Sequence, residues 1–218
     1  MDFFIITSVI DPINAPLTYS AIRSVFNRTE RFNQTIESVK SVKSKLPNAY
    51  IVLVEGCGVA LTQDEKTQLN VNYIHEILED SVLNDIRSPY KSRGETCMLL
   101  DYMRSSHFTS IKSIIRRLFK LSGRYCLKPE FNEADFQMDK ITLLNKDIHS
   151  LNGTCTVLYS VPYAQIEYYY KRLELIYPNI HDSMEYILFE PHDRQDIYKK
   201  INKINTFGYV TTGEYWES

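Results

Sequence analysis

Two continuous apolar runs, FFIITSVI at residues 3–10 and AYIVLVEG at 49–56, bracket a segment whose apolar residues recur at helical spacing, and no other feature of the chain constrains its fold as strongly. Apolar runs without polar alternation mark strands covered on both faces. Between them, RFNQTIESVKSVKSKL (31–46) sets Phe32, Ile36, Val39, Val42 or Lys43, and Leu46 on one stripe, with Thr29 and Glu30 near its start for capping and Pro47-Asn48 to stop it. Strand, helix and strand in this order form a βαβ unit, with parallel strands, a right-handed crossover and a ligand crevice beyond the strands' carboxyl ends. Thr7, Ser8, Glu55 and Gly56 stand at those ends.

The remaining chain extends this alternation. TQDEKTQL after Leu61 reads as a short helix with a capping box from Thr62 to Glu65, and VNYIHEI (71–77) as a third strand. A polar, basic-tipped loop, EDSVLNDIRSPYKSRGE (79–95), leads into a helix from Glu95 to Ser105, with a second short helix near Ser110. FKLSGRYCL (119–127) is an apolar strand that breaks at Gly123 and places Arg124 at its end. TCTVLYSVP (154–162) is another strand. AQIEYYYKRLELIYP (164–178) is a helix facing inward with Ile166, Tyr169 or Tyr170, Leu173, and Ile176 or Tyr177. DSMEYILFE (182–190) suits a short helix capped by Asp182 or Ser183, and the tail from 204 to 218 is β-like. The connection at 11–30 carries two prolines and is long, and loops of that length in compact domains are usually functional or disordered. The chain has no internal repeat and no low-complexity linker, so a single domain is expected.

With 25 Lys and Arg against 27 Asp and Glu, the net charge is -2, so no global field draws the protein to nucleic acid or an anionic membrane. Cysteines 57, 97, 126 and 155 have no C-x-x-C spacing, which argues against a zinc site and for thiols in a reducing compartment. The N-terminus has an acid at position 2 and only a short apolar run, which suits neither a signal peptide nor a membrane span, so a cytoplasmic location is expected.

Several side chains could carry chemistry. Glu55 at a strand mouth could accept hydrogen bonds from a base or ribose, or simply be solvated. Lys91 and Arg93, with Gly94-Glu95 at a helix start, could cradle phosphate or form a basic loop in water. Arg124 at a buried strand end needs a counter-charge, whether Glu55, Glu133, Asp135 or a bound diphosphate. Glu185, close to Asp182 and followed by His192, could act as a general base if its surroundings raise its pKa, or lie on the surface. The five histidines show no metal-ligand spacing, and no G-x-S-x-G elbow marks a serine nucleophile.

Taken in order, IITSVI, ERFNQTIESVKSVKSKLPNAYIVLVEG, SRGE and FKLSGRYCL resemble the small viral and bacterial glycosyltransferases of the GT-A type. The resemblance covers most of the chain. It implies an α/β, Rossmann-like single domain with a mostly parallel central sheet flanked by helices. Residues 1–127 would bind a UDP-, GDP- or dTDP-sugar, and residues 128–218 would receive the hydroxyl of a glycan or other acceptor. In that family the fourth strand commonly ends in Asp-x-Asp, which holds Mn²⁺ or Mg²⁺. Here Ser122-Gly123-Arg124 stands in its place, and a guanidinium can neutralise a leaving diphosphate by bidentate hydrogen bonds. The alternative is a metal held by Glu133 and Asp135, whose E-x-D spacing puts both on one side of an extended segment, and metal dependence stays open between the two.

By the same resemblance Thr7, Ser8 and Glu55 fall where base and ribose are held, Arg31 or Arg93 reaches the phosphates, and Glu185 is the base of an inverting displacement. A retaining mechanism is open if Glu185 does not reach the acceptor. Two competing readings remain. A nucleotidyltransferase would place a glycine-rich, basic loop after the first strand, and SVIDPINAP is neither; a degenerate binding module would explain the missing Asp-x-Asp.

Overall fold

Alternation along the first strand creates two cores. β1 (Asp2–Ser8) is buried at every position, and its side chains divide between the faces of the sheet: Phe3 and Ile5 enter one cluster, Phe4 and Ile6 the other. The computed structural model describes residues 1–13, 15–145, 154–179, 188, 195–210 and 212–218. After β1 come α1 (Arg28–Lys45), β2 (Tyr50–Glu55), α2 (Gln63–Leu69), β3 (Tyr73–Glu76), α3 (Asp80–Ile86), α4 (Lys91–Arg104) and α5 (Ser106–Ile111). They are followed by β4 (Arg117–Ser122), β5 (Tyr125–Leu127), β6 (Ile141–Asn145), β7 (Thr154–Pro162), α6 (Ile166–Ile176), β8 (Tyr198–Ile201), β9 (Thr206–Tyr209) and β10 (Tyr215–Glu217).

The central sheet runs β3-β2-β1-β4-β7-β6-β8, with β7 antiparallel to both of its neighbours and the other pairs parallel. It is a mixed α/β sheet, mostly parallel, flanked by helices as expected. The chain first winds outward from β1 through β2 to β3 and then returns to place β4 on the other side of β1. Strand order therefore reverses between β1 and β4, which is where open α/β sheets leave a crevice. Register brings Thr7 opposite Ser122 and Ser8 opposite Glu55, so three carboxyl ends finish together. A second sheet, β10-β9-β5, packs beside α1 as a continuation of the β4 turn, with Tyr125 edge-on to Trp216 at 5.5 Å.

Several expected boundaries shift for identifiable reasons. α1 starts at Arg28 because Asn27 and Glu30 form its capping box, so Glu30 caps the helix as expected and Asn27 takes the role expected of Thr29. Thr62 and Glu65 cap α2 as the pattern predicts. The expected loop at 79–95 contains α3, and α4 begins at Lys91, so KSRGE is the first turn of a helix rather than the loop before it. α3 is two turns long with Leu83 and Ile86 buried, a stripe too short for periodicity to reveal. Gly94 lets α4 press on α3: a Cβ there would lie 2.9 Å from the Ile86 carbonyl oxygen.

α6 buries Ile166, Tyr169, Leu173 and Ile176, as its spacing predicts. Cys57 and Cys97 are buried and Cys126 half-buried, all as free thiols. Among the described residues, no helix is long and apolar enough to cross a membrane. The helix expected at 182–190, and with it Glu185, Asp182 and His192, lies outside the described residues apart from Leu188, which is buried.

Candidate functional site

Two clefts that share part of their lining open beyond the carboxyl ends of β1, β2 and β4. They share a wall made by Val9, Arg23, Arg31, Ile86, Lys91 and Arg124. Beyond that wall their chemistry separates. One lobe is closed by Asp11, Pro12, Ile13 and Leu17 from the long segment after β1, together with Ser24, Cys57 and Arg87, and most of its surface is apolar. The other is polar, with Thr7, Ser8, Glu95, Ser122 and Gly123. Four cations thus stand at the junction of an apolar and a polar compartment.

Each cation is placed by local structure. Arg31 projects from the buried face of α1, and its Nε and Nη2 both donate to the Val9 carbonyl, at 3.1 and 3.0 Å. Burial pulls its pKa down to about 9; the neighbouring Arg124 pushes the same way and Glu55 opposes. Arg124 sits in the turn between β4 and β5, and burial lowers its pKa too, against Tyr125, Glu95 and Tyr19. That turn is tight because Gly123 donates its N–H to the Thr7 carbonyl at 2.8 Å, and a Cβ at Gly123 would lie 3.0 Å from the same oxygen. Two guanidiniums forced together in a low-dielectric pocket repel, and an anion between them would relieve both. Lys91 enters from the first turn of α4.

Arg23 comes from the segment after β1. Its Nη1 donates to the Ile86 carbonyl at 3.2 Å and its Nη2 to the Arg87 carbonyl at 2.8 Å and to Ser88, tying that segment to the end of α3. Its Nε is buried with no acceptor among the described residues. Sequence reasoning singled out the long connection but not this arginine, whose signal was its lone position between two prolines and α1.

Of the residues expected at the site, Thr7, Ser8, Arg31, Gly56, Lys91, Ser122, Gly123 and Arg124 line the clefts. Glu55 does not. It is 1% exposed, and its Oε1 accepts N–H groups from Ile10 at 2.8 Å and Cys57 at 3.1 Å, so it fastens the exits of β1 and β2 instead of facing a ribose. Burial lifts its pKa to about 7, against hydrogen bonds and Arg31 that favour the charge. Arg93 is also turned away: its Nε meets Asp85 Oδ1 at 2.7 Å and its guanidinium lies over the Tyr177 ring at 5.5 Å. The polar spacing of KSRGE misled because in a helix, residues two apart face different ways.

Glu133 and Asp135 occupy a single 3₁₀ turn, fixed by Asn132 Oδ1 accepting from Ala134 N at 3.1 Å, rather than an extended segment. Glu133 is 3.4 Å from Arg117 at the amino end of β4, the opposite end of the sheet from Ser122. Among the described residues no group of three or more His, Cys, Asp and Glu side chains is arranged to hold a metal. Cys57 lines the apolar lobe, where burial raises its thiol to about 11, a value that leaves it uncharged at neutral pH.

Sequence reasoning missed the pairing of Glu95 and Lys120. Lys120 lies fully buried within β4 and ion-pairs with Glu95 beneath the polar lobe. A lysine inside the apolar run RLFKLS was the available signal.

No protein-family model matches this sequence, and no curated protein does. Solved structures resemble the fold. A glycosyltransferase involved in the glycosylation of the major capsid of PBCV-1 aligns with 93% of this chain and 82% of its own, at a TM-score of 0.50 and 10% identity. The apo form of the glycosyltransferase GlyE of Streptococcus pneumoniae aligns with 92% of this chain at a TM-score of 0.50 and 11% identity, and the chain spans 44% of its length. A cytidylyltransferase from Leptospira borgpetersenii aligns less well, with a TM-score of 0.45 and 8% identity over 100% of this chain and 81% of that one.

Proposed function

Starting from a chain with the GT-A fold, we propose that it is a glycosyltransferase that moves a sugar from a nucleoside-diphosphate donor to a hydroxyl of a glycan or other acceptor. One observation carries this reading: Arg23, Arg31, Lys91 and Arg124 stand where an apolar lobe meets a polar one, at the reversal of strand order. A ligand matching that sequence of environments has an apolar planar end, a dianionic middle and a hydroxyl-rich end. A nucleoside diphosphate-sugar has that order. Residues 1–127 would form the donor half and 128–218 the acceptor half.

In the reaction the acceptor oxygen attacks the anomeric carbon while the bond from that carbon to the diphosphate breaks, its electron pair leaving with the diphosphate. Arg31 and Arg124 would stabilise that charge as it develops. The acceptor proton passes to a base, the role proposed for Glu185 in an inverting transfer; a retaining course follows if another arrangement serves. A divalent cation does not fit the donor set, in which Asp11 of the apolar lobe is a lone carboxylate and no group of three or more His, Cys, Asp and Glu side chains forms among the described residues. Ser122, Gly123 and Arg124 stand where this fold commonly places acids, and Glu95 at the same lobe already answers Lys120. A metal there would face the four cations of the junction.

A nucleotidyltransferase is the less favoured alternative, because residues 9–27 contain no glycine to wrap a triphosphate. Thermal shift and calorimetry with UDP-, GDP- and dTDP-sugars, each with Mn²⁺, Mg²⁺ or EDTA, test the proposal. Stabilisation by one nucleotide family that survives EDTA is expected, of about 2.7 kcal/mol at a hundredfold excess over Kd. Arg124→Ala should weaken that binding at least tenfold, the scale of a lost hydrogen bond to a charged group. Silence across the panel overturns the reading, and tight binding without transfer would mark a binding module instead.

A further inference from the structure

Buried ion pairs seldom repay their desolvation, and an apolar pair of the same volume often serves stability as well or better. The Glu95–Lys120 pair is therefore notable for where it lies. Lys120 Nζ is fully buried, donating to Ser122 Oγ at 2.8 Å and the Thr156 carbonyl at 2.7 Å besides its contact with Glu95. Glu95 Oε1 accepts from Thr7 Oγ1 at 3.2 Å and Ser122 Oγ at 3.4 Å. The carboxylate is thus fixed from below by β1 and β4, while 17% of its side chain stays exposed at the polar lobe. Burial works to raise its pKa, but the Lys120 charge outweighs it and keeps the group ionised.

Apart from the shared wall of cations, Glu95 is the one charged side chain lining the polar lobe among the described residues; its companions there are Thr7, Ser8, Met98, Ser122 and the glycines. An ionised carboxylate in that position accepts hydrogen bonds from hydroxyl groups and repels a second carboxylate. We propose that Glu95 is a specificity-determining residue that accepts hydrogen bonds from hydroxyls of the donor sugar, so that the enzyme takes neutral sugars and rejects those bearing a carboxylate, with Lys120 as its positioning residue. This rests on the reading that the polar lobe holds the sugar of a nucleoside diphosphate-sugar.

The test compares donors that differ by one carboxylate. Calorimetry with UDP, GDP and dTDP identifies the base; UDP-glucose is then titrated against UDP-glucuronate, or GDP-mannose against GDP-mannuronate, or dTDP-glucose against dTDP-glucuronate. The wild type should prefer the neutral sugar at least tenfold, and Glu95→Gln should bring that ratio near one while affinity for the bare nucleoside diphosphate stays within threefold. Because Glu95→Gln leaves Lys120 buried without its counter-charge, the double variant Glu95→Gln/Lys120→Met provides the same comparison in a chain with neither charge. Equal affinity of the wild type for both sugars, or a preference that persists in the variants, overturns the proposal while the donor reading stands. Absence of binding by all three nucleoside diphosphates overturns the donor reading and this proposal together.

Discussion

Glu55 and Arg124 are both charged residues at the ends of buried strands, yet they do different work. Glu55 Oε1 accepts the backbone N–H groups of Ile10 and Cys57, while its Oε2 is buried with no hydrogen-bond partner among the described residues. Arg124 lies one residue past the glycine turn and reaches the clefts. Sequence position puts both at the mouth of the sheet, but which one lines the clefts depends on which loop amides lie within reach. Because burial holds Glu55 near 7 instead of its ordinary 4.5, its folded form keeps a proton that the unfolded chain has released. This contribution to stability is fully present below about pH 4.5 and is lost as pH rises through about 7, a change of roughly 3 kcal/mol. Chemical denaturation of the wild type and Glu55→Gln from pH 4 to pH 8 should show that decline in the wild type and its absence in the variant. Parallel pH profiles would show that Glu55 does not titrate in this range.

Among elements, the segment from 11 to 27 and the α3–α4 pair determine the shape of the clefts. Periodicity could not resolve α3, and the polar letters of KSRGE disguised a helix start, so Arg93 was expected at the site when the helix in fact turns it toward Asp85 and Tyr177. Among its described residues the segment after β1 has no strand or helix of its own, and Arg23 fastens it by donating to carbonyls at Ile86, Arg87 and Ser88. Arg87 and Ser88 lie just past the carboxyl end of α3, where carbonyl oxygens lack helical partners and favour a cation. Arg23→Ala should release this segment: limited proteolysis should cut within residues 11–27 several-fold faster than in the wild type, with cleavage elsewhere unchanged. Equal rates would mean that other contacts hold the segment in place.

At the scale of the molecule, topology gathers residues from positions 7, 23, 31, 91, 95 and 124 at one end of one sheet. It sends Glu133 to the other end, beside Arg117 and the start of β1 at Asp2. Hydrogen exchange with and without a bound nucleoside diphosphate should therefore slow at 7–9, 91–95 and 122–124 and stay unchanged at 133–135; protection confined to 133–135 would move the site to the acids there. The βαβ unit, the buried strands, the inward face of α6 and the departure at Ser122-Gly123-Arg124 were determined by the sequence alone. Each depends on local periodicity or on a glycine in a tight turn, and such signals act within a few residues. The division of the crevice into two lobes, the retreat of Glu55 and Arg93, and the ion pair of Glu95 with Lys120 were decided only by tertiary structure. Each depends on charges and loop amides brought together from distant positions, and the energy of a buried charge is set by the neighbours that the fold supplies.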